Sequence, residues 1–368
     1  MSTVSRQFTL FERGNIAILK ELGYEIHCAA NYSDATDALN ELDIVRHHID
    51  IQRSPFSPKQ IKAFFQLKKI MKDEKFDLVH CHAPMGGVLG RLCAKVTNIS
   101  PVLYTAHGFH FYKGAPFINN VIYKTIERIT ARWTDALITI NEEDYNAAKK
   151  FTYKKNGKVY KIPGVGVDTS YIKELQIDRE LLRLRLGFDS SDFILISVGE
   201  LNDNKNHQSV IKAITLLPNE VKEKVKYRVC GRGNNYNKLT KLIKDNMLEN
   251  NIYLLGYRKD IIELLKGADV FIFPSKREGL SKSIMEAMAA GLPIIASKIR
   301  GNVDLVKDNE NGYILEVKDS IKLSEKINLL YENEKLREKF KENSKVLSEK
   351  YSIEIVNSIM RKIYKNQY

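Results

Sequence analysis

Apolar positions in this 368-residue chain form short runs that alternate with segments of helical spacing. Residues 15–22 place Ile16, Leu19 and Leu22 on one helical face, and residues 25–30 have the pattern of a short strand. The alternation predicts further helices at about 58–75, 88–96, 121–133 and 142–150, and one that begins near Gln208. It predicts further strands at 76–82, 102–105, 136–140, 159–163, 193–198, 226–230, 252–255, 270–274 and 294–296. Strands that alternate with helices in this way predict parallel sheets, so the fold class is α/β.

A glycine-rich stretch divides this pattern in two. Residues 164–168, Gly-Val-Gly-Val-Asp, lie between the last strand of one alternation and the next. Glycines in such a position are typical of a linker, and no dinucleotide-binding fingerprint is present because the stretch follows Pro163 and opens no helix. We therefore predict one domain at 1–163 and a second at 164–350, which suits a chain too long for one ordinary core.

The beginning of the chain leaves little room for a first strand. A helix at 15–22 that is followed by a strand implies an earlier strand, and only residues 1–4 precede the helix with that character. We expect either a start at a late methionine or a trimmed sheet edge. Ser5, Arg6 and Gln7 are predicted to lie in the following loop.

Residues 278–293 combine two carboxylates with a predicted helix start. Ser281 is a residue type that caps helices, and the free N–H groups near Leu280 and Ser281 would bind phosphate directly and through the helix dipole. Glu278 falls in the loop and Glu286 about one turn into the helix, where carboxylates can accept hydrogen bonds from sugar hydroxyls. The segment predicts a nucleotide-sugar site, and the alternative is two solvated carboxylates on an amphipathic helix.

Other candidate residues follow predicted strands, where ligands of open α/β sheets bind. His107 follows the strand at 102–105, although a histidine packed in a strand-end turn is the alternative. Lys205 follows the strand at 193–198, where an ammonium group can neutralise a diphosphate. Arg232 has a similar position, with a solvated loop arginine as its alternative.

Composition and charge narrow the classes of partner. Hydrophobic residues are 43% and charged residues 28% of the chain, as in globular proteins. The longest apolar runs have strand length, below the roughly 18 to 20 residues of a membrane span, so we expect a cytoplasmic protein. The net charge of +13 favours anionic partners such as lipid headgroups or phosphorylated substrates, although lysine-rich helices are often simply solvated. No zinc-finger, RNP-like or basic-zipper pattern occurs, which argues against nucleic acid.

Spacing of cysteine and histidine gives little support for a metal site. The chain has four cysteines, Cys28, Cys81, Cys93 and Cys230. They contain no Cys-x-x-Cys pair, so we expect neither a disulfide framework nor a zinc site. His80 and His82 share one side of a predicted strand, a spacing that suits metals, but we identify no third ligand nearby.

The context of the two glutamates, Pro-Ser-x-Arg-Glu-Gly-Leu with Glu-x7-Glu spacing, resembles the signature of the retaining glycosyltransferases of family 4. The runs His-Gly-Phe-His-Phe at 107–111 and Asn-Lys-Asn-His at 204–207 resemble the bacterial capsule and exopolysaccharide subgroup, so the resemblance spans nearly the whole chain. It implies the GT-B fold, in which two Rossmann-like domains with parallel sheets face a central cleft. It also implies that the last helix, 351–368, joins the first domain.

The family resemblance assigns expected roles to residues of both domains. It implies that Glu278 lies at the donor hexose and its phosphate, Glu286 at the ribose, Lys205 at the diphosphate and His107 at the donor sugar or its phosphate. The further donor-side residues are Gly199, Glu200, Arg232, Tyr257, Arg258, Gly279, Leu280 and Ser281. The acceptor-side residues are Ser5, Arg6 and His110. Glu200 stands where the family usually has arginine, so one expected positive charge is missing, and Arg232 is a candidate replacement by position.

The implied activity is transfer of a hexose from a nucleoside-diphosphate sugar, by preference a UDP-sugar, with retention of anomeric configuration. The implied acceptor is a lipid-diphosphate-linked oligosaccharide of capsule, exopolysaccharide or O-antigen synthesis, at the anionic inner face of the cytoplasmic membrane. No metal ion or other cofactor is expected. Two alternatives stay open: a UDP-sugar 2-epimerase, against which the Glu-x7-Glu context argues, and a non-catalytic partner subunit, suggested by Glu200 and the short first strand. The sugar, the acceptor, the linkage and the oligomeric state stay open too.

Overall fold

The computed structural model describes residues 1–367, and its backbone divides into two compact units. The first unit contains Met1–Gly166 together with the last helix of the chain, and the second contains Val167–Ser352. The sequence prediction placed these two boundaries at 163/164 and 350/351. No helix within residues 1–367 is both long and apolar enough to span a bilayer.

The first unit is a parallel sheet covered by helices. Its strands are β1 (His27–Ala30), β2 (Val45–His48), β3 (Val79–His82), β4 (Val102–Ala106), β5 (Ala136–Thr139) and β6 (Lys158–Lys161). Its helices before the domain boundary are α1 (Arg6–Phe11), α2 (Arg13–Glu21), α3 (Lys59–Glu74), α4 (Pro84–Thr97), α5 (Phe117–Ala131) and α6 (Glu142–Ala148), with a 3₁₀ turn at Asp37–Leu39. Strands β1 and β2 form one pair, and β3 to β6 form a four-stranded sheet in chain order.

Residues 1–4 lie between the two parts of this sheet. The backbone N–H of Ser2 donates to the carbonyl of Ala29 at 3.0 Å, and the amino group of Met1 donates to the carbonyl of His80 at 2.8 Å. The segment therefore joins β1 to β3 in one parallel layer and takes the place of the first strand that the order of elements required.

Residues 5–7 are not the loop that the sequence predicted. Ser5 precedes α1, and Arg6 and Gln7 lie within that helix. The helix places Phe8 in a small apolar cluster, in which its side chain is 2% exposed. A buried aromatic side chain stabilises this short helix by about 1.5–3 kcal/mol, a contribution that six residues of local sequence do not reveal.

The second unit is a six-stranded parallel sheet in the order β12-β11-β10-β7-β8-β9. These strands are β7 (Phe193–Val198), β8 (Val225–Cys230), β9 (Ile252–Gly256), β10 (Val270–Phe273), β11 (Ile294–Ser297) and β12 (Gly312–Leu315). The helices are α7 (Thr169–Glu174), α8 (Arg179–Arg185), α9 (His207–Thr215), α10 (Asn219–Lys224), α11 (Tyr236–Asp245), α12 (Ile261–Gly267), α13 (Lys282–Ala289), α14 (Asn302–Leu305), α15 (Ser320–Glu332) and α16 (Glu334–Ser348), followed by a 3₁₀ turn at Glu349–Tyr351.

The strand order of the second unit fixes where its ligand site can be. The chain builds the sheet outward from β7 to β9 on one side and from β10 to β12 on the other. The order therefore reverses between β7 and β10, and crevices at the carboxyl ends of strands at such a reversal are where open α/β sheets bind ligands. The same reversal occurs in the first unit between residues 1–4 and β3.

The last helix, α17 (Ile353–Lys365), belongs to the first unit. Its Tyr364 is fully buried, and the Tyr364 hydroxyl lies 2.8 Å from Nδ1 of His80. Of the predicted terminal helix, Tyr368 lies outside the described residues.

Candidate functional site

An ion pair occupies the point at which the strand order of the second unit reverses. Lys205 follows β7 and Glu278 follows β10, and these two strands are hydrogen-bonded neighbours. The Lys205 ammonium lies 2.7 Å from Oε1 of Glu278, and the two side chains are only 19% and 16% exposed. The ammonium also lies 4.5 Å from the centre of the Phe273 ring. The fold thus brings together two residues predicted for the donor site that are far apart in sequence.

Gly199 leaves room for this lysine. A Cβ atom on Gly199 would approach Cε of Lys205 to 3.1 Å, closer than most real contacts of that kind. The lysine stem therefore passes across the glycine before it reaches Glu278. A larger residue at position 199 would therefore require the lysine side chain to shift.

The predicted helix cap is confirmed at the start of α13. The hydroxyl oxygen of Ser281 accepts a hydrogen bond from the backbone N–H of Ile284 at 3.3 Å. The first backbone N–H groups of the helix have no partner within the helix, and they lie in the same chain segment as Glu278, after Gly279 and Leu280. Hydrogen-bond donors and a positive helix dipole are thus available beside the ion pair.

A close backbone approach supports the loop that carries Glu278. Gly301 has a φ of 80°, and a Cβ atom there would lie 2.2 Å from the carbonyl oxygen of Gly279. Arg300 donates from Nε to the carbonyl oxygen of Glu278 at 3.1 Å. The segment after β11 therefore holds the backbone of residues 278–279 in place.

Glu286 lies one turn further along α13. Its carboxylate is 3.3 Å from the ammonium of Lys282, four residues earlier, and its side chain is 19% exposed. Glu286 is thus on the same helix as the Ser281 cap and is partly accessible, as a group that binds hydroxyls must be.

The remaining predicted donor residues lie in loops at the carboxyl ends of neighbouring strands. The carbonyl oxygen of Arg232 accepts from the N–H of Leu201 at 2.9 Å, which holds the loop after β8 against the loop that contains the exposed Glu200. The Arg232 guanidinium lies 6.0 Å from the ring centre of the exposed Tyr257. Arg258 donates from Nε to Asp260 at 2.8 Å, so its charge already has a partner.

The first unit also has a polar cluster at its strand-order reversal. Oε1 of the buried Glu12 lies 3.0 Å from Nδ1 of His82, at the end of β3, and 3.5 Å from Nε2 of His107, just after β4. Gln7 lies between them, with Nε2 2.9 Å from Oε1 of Glu12 and 3.1 Å from Nε2 of His107. The expectation that no third possible ligand lies near His82 was therefore wrong, because Glu12 and His107 form a possible metal-binding group with it.

His80 is separate from this cluster in its hydrogen bonding. Its ring nitrogens lie 2.8 Å from the hydroxyls of Tyr364 and Thr105. Burial lowers the pKa of His80 well below its ordinary value, so the ring is neutral at pH 7. Both nitrogens are occupied by protein hydroxyls, which makes it a core residue.

The predicted acceptor-side residues are less uniform. Ser5 is fully buried, and its hydroxyl donates to Oδ1 of Asp34 at 2.7 Å. Arg6 is exposed and lies 3.6 Å from the same carboxylate. His110 is partly exposed, with its ring 5.1 Å from that of Tyr123. Ser5 is therefore buried, whereas Arg6 is exposed and His110 is partly exposed.

Sequence reasoning missed Glu12 and the part played by His82. His82 ends a buried strand, which is a usable signal under the same rule that selected His107. Glu12 lies between α1 and α2 and follows no predicted strand, so no local pattern marks it.

Two family models match this chain, and each covers most of the residues of one unit. Residues 2–141 match the model described as glycosyl transferase 4-like, and residues 178–346 match the model described as glycosyl transferases group 1.

Among curated proteins, EpsD of Bacillus subtilis strain 168, whose name describes a glycosyltransferase, is 36% identical over 354 residues, 95% of this chain and 91% of EpsD. The UDP-Gal:alpha-D-GlcNAc-diphosphoundecaprenol alpha-1,3-galactosyltransferase of Escherichia coli is 34% identical over 268 residues, 71% of this chain and 68% of that protein.

Solved structures agree on the fold. The structure of Anabaena HepE in complex with UDP has a TM-score of 0.81 and 20% sequence identity, covering 99% of this chain and 98% of that one. WaaG, described as a glycosyltransferase involved in lipopolysaccharide biosynthesis, has a TM-score of 0.77 and 16% identity, with 99% of each chain covered.

Proposed function

This chain belongs to the group 1 glycosyltransferases, which have two Rossmann-like domains of the GT-B type, and from that premise we propose that it transfers a hexose from a UDP-sugar to a lipid-diphosphate-linked saccharide. The observation that carries the proposal is the Lys205–Glu278 pair beside the capped start of α13, at the strand-order reversal of the second unit.

The donor half of this proposal follows from the charges at that site. In the reaction the bond between the sugar C1 and the phosphate oxygen breaks, and negative charge develops on the departing diphosphate. The Lys205 ammonium and the free N–H groups of α13 are suited to stabilise that charge. Because the protein supplies this positive potential itself, we propose that transfer needs no metal ion or other cofactor.

Retention of configuration is proposed to need no protein nucleophile. The acceptor hydroxyl attacks C1 from the face that the diphosphate leaves, and its proton passes to a phosphate oxygen of the leaving group. Glycosidases work differently, with two carboxyl groups on either side of the scissile bond. Here Glu278 is already paired with Lys205, and we assign Glu286 to the ribose hydroxyls.

The acceptor half rests on the relatives. The Escherichia coli relative is named as a transferase to a diphosphoundecaprenol-linked sugar, and a Campylobacter jejuni relative that is 26% identical over 357 residues is named for a diphospho-undecaprenol-linked acceptor too. We propose the same class of acceptor for this chain, in capsule, exopolysaccharide or O-antigen synthesis.

A lipid-linked acceptor makes the inner face of the cytoplasmic membrane the proposed place of work. On α5, Phe117 is 81% and Ile118 68% exposed, and the exposed basic residues Lys113, Lys124 and Arg128 lie in or next to the same helix. Exposed apolar side chains flanked by cations suit an anionic lipid surface.

Vesicle sedimentation tests this surface. We expect the protein to sediment with phosphatidylcholine vesicles that contain phosphatidylglycerol, and less so without phosphatidylglycerol or at high salt. The double variant Phe117→Ser/Ile118→Ser should bind more weakly. Met247→Ser, at an 87% exposed position of the second unit, is the control. Equal sedimentation with neutral and anionic vesicles would refute the surface.

The reaction itself is tested with the purified single chain. A thermal-shift screen across UDP-, GDP- and TDP-sugars identifies the donor, because a ligand that binds the folded state raises its stability. Incubation with that donor and a polyprenyl-diphosphate-linked saccharide should then yield a product that is one hexose heavier than the acceptor, as measured by mass spectrometry. NMR should show that the new linkage has the anomeric configuration of the donor. Epimer formation from UDP-N-acetylglucosamine alone would show a 2-epimerase instead. Donor binding without any turnover would show a non-catalytic subunit.

A further inference from the structure

Gln7, Glu12, His82 and His107 form a polar network, and the chemistry described above gives no role to Gln7, Glu12 or His82. They come from three places in the first unit: the segment after residues 1–4, the end of β3 and the turn after β4. All the polar atoms that join them lie within 3.5 Å of a neighbour in the network. Side chains from three separate segments of the chain thus meet at His107.

Glu12 is the fixed charge of the network. Its side chain is 3% exposed, and Oε1 accepts from Nε2 of Gln7 at 2.9 Å and from Nδ1 of His82 at 3.0 Å. Oε2 accepts from Nδ2 of Asn15 at 2.6 Å. Nitrogen donors thus face both oxygens of Glu12, and this geometry holds it as an ionised acceptor.

An ionised Glu12 decides which way the Gln7 amide points. A carboxylate oxygen only accepts hydrogen bonds, so Gln7 must turn its NH₂ group, rather than its carbonyl oxygen, toward Oε1. The same nitrogen lies 3.1 Å from Nε2 of His107 and has a second N–H to donate. His107 therefore accepts at Nε2.

The other neighbours of His107 agree with this assignment. Nδ1 of His82 must carry the proton that it donates to Glu12, so it cannot accept a proton from Nε2 of His107, which lies 3.5 Å away. If Nε2 of His107 carried the proton, that proton would lie beside two donors, Gln7 and His82. The acceptor within the network would then be Oε1 of Glu12, at 3.5 Å from Nε2. The neutral His107 ring is thus favoured with its proton on Nδ1.

We propose that Gln7 and Glu12 are positioning residues that hold His107 as the Nδ1–H tautomer, so that Nδ1 can donate a hydrogen bond to an oxygen of a bound substrate. The second half of this statement rests on the proposed function. The His107 side chain is 23% exposed, and within residues 1–367 its hydrogen bonds are all made through Nε2, so Nδ1 is the nitrogen left for a ligand.

The tautomer is measured without any substrate. In protein labelled with ¹⁵N-histidine, two-bond ¹⁵N–¹H spectra distinguish a protonated from an unprotonated ring nitrogen, and loss of one spin system in His107→Gln assigns the signals. We expect protonated Nδ1 and unprotonated Nε2 in the wild type. Gln7→Met, which keeps the side-chain length but removes the amide, and Glu12→Gln should both give a mixture of tautomers. Glu25→Gln, an exposed carboxylate 3.4 Å from His27, is the matched control and should change nothing at His107.

Three results would overturn the proposal. These are a proton on Nε2 in the wild type, an unchanged tautomer in Gln7→Met, and a stoichiometric metal ion that survives dialysis and is lost in Glu12→Gln. If Glu12→Gln does not fold, Gln7→Met alone decides.

Measurement of the transfer rate tests separately whether Nδ1 of His107 donates to the substrate. We expect Gln7→Met to lower kcat about tenfold, the usual weight of one aligned hydrogen bond, with an unchanged urea midpoint. Wild-type kcat in a Gln7→Met protein whose tautomer has changed would refute donation from Nδ1 to the substrate. Absence of transfer by the wild type would bear on the proposed function and not on the tautomer.

Discussion

Lys205 and Glu278 form an ion pair in this structure, at a separation of 2.7 Å and with little exposure of either side chain. A partly buried lysine held in this way is pre-positioned, so it loses little further freedom when a diphosphate binds. Its partner Glu278 keeps it at the strand ends instead of in solvent.

We expect Lys205→Ala to lower kcat by about 100-fold or more, because loss of one aligned group that stabilises developing charge typically costs this much. Steady-state transfer rates at saturating donor measure the effect. Lys212→Ala, at an exposed position on α9, should keep the wild-type rate. A wild-type rate in Lys205→Ala would contradict the phosphate assignment.

Glu286 is expected to act on binding more than on turnover. Removing a carboxylate that accepts from ribose hydroxyls should raise the Kd for UDP about tenfold in Glu286→Ala, since a hydrogen bond to a charged group contributes about 1.5–3 kcal/mol. Isothermal titration calorimetry with UDP measures it, and Glu325→Ala, an exposed glutamate on α15, is the control. Unchanged UDP affinity would remove Glu286 from the ribose site.

Substitution of Ser281, the cap of α13, is expected to affect both the stability of the protein and its binding of UDP. Ser281→Ala should lower the free energy of unfolding by about 1 kcal/mol, because the N–H of Ile284 loses its acceptor. Ser281→Asp keeps a capping oxygen and should retain stability, but its charge lies beside the proposed phosphate site and should weaken UDP binding. Urea unfolding and calorimetry separate the two effects. Wild-type UDP affinity in Ser281→Asp would argue that the phosphate lies elsewhere.

Strand β2 and helix α1 were missed because neither has an apolar pattern of its own. Strand β2 reads Val-Arg-His-His and is mostly exposed, so it has no apolar alternation, and it is ordered by backbone pairing with β1. Helix α1 is too short for helical periodicity and depends on burial of Phe8. The buried central strands were predicted because their apolar runs are themselves the signal.

Each unit buries neutral histidine, which makes stability depend on pH. Burial, with a contribution from Lys205, lowers the pKa of His207 in the second unit to about 4, and burial also lowers the pKa of His80 and His82 in the first. Between the ordinary value of 6.5 and about 4, the unfolded chain takes up protons that the folded His207 does not. Stability therefore falls as the pH falls through this window.

We expect the free energy of unfolding to drop between pH 7.5 and pH 5.0, with about 2 kcal/mol of the drop due to His207. His207→Gln should show a correspondingly smaller difference between the two pH values in urea unfolding followed by fluorescence. Equal pH dependence in the variant and the wild type would mean that the pKa of His207 is the same in the folded and the unfolded chain.

The sequence by itself determined the α/β alternation, the division into two domains, the capped helix at 282–289 and the resemblance that led to the family. These features are local: periodicity, caps and short motifs act over one or two turns or strands. Only the tertiary structure decided which strand ends meet. Lys205 and Glu278 are 73 residues apart, and His107 meets Gln7 across 100. Such pairings depend on strand order in the sheet, which no local pattern encodes, and for that reason Glu12 became visible only in the folded chain.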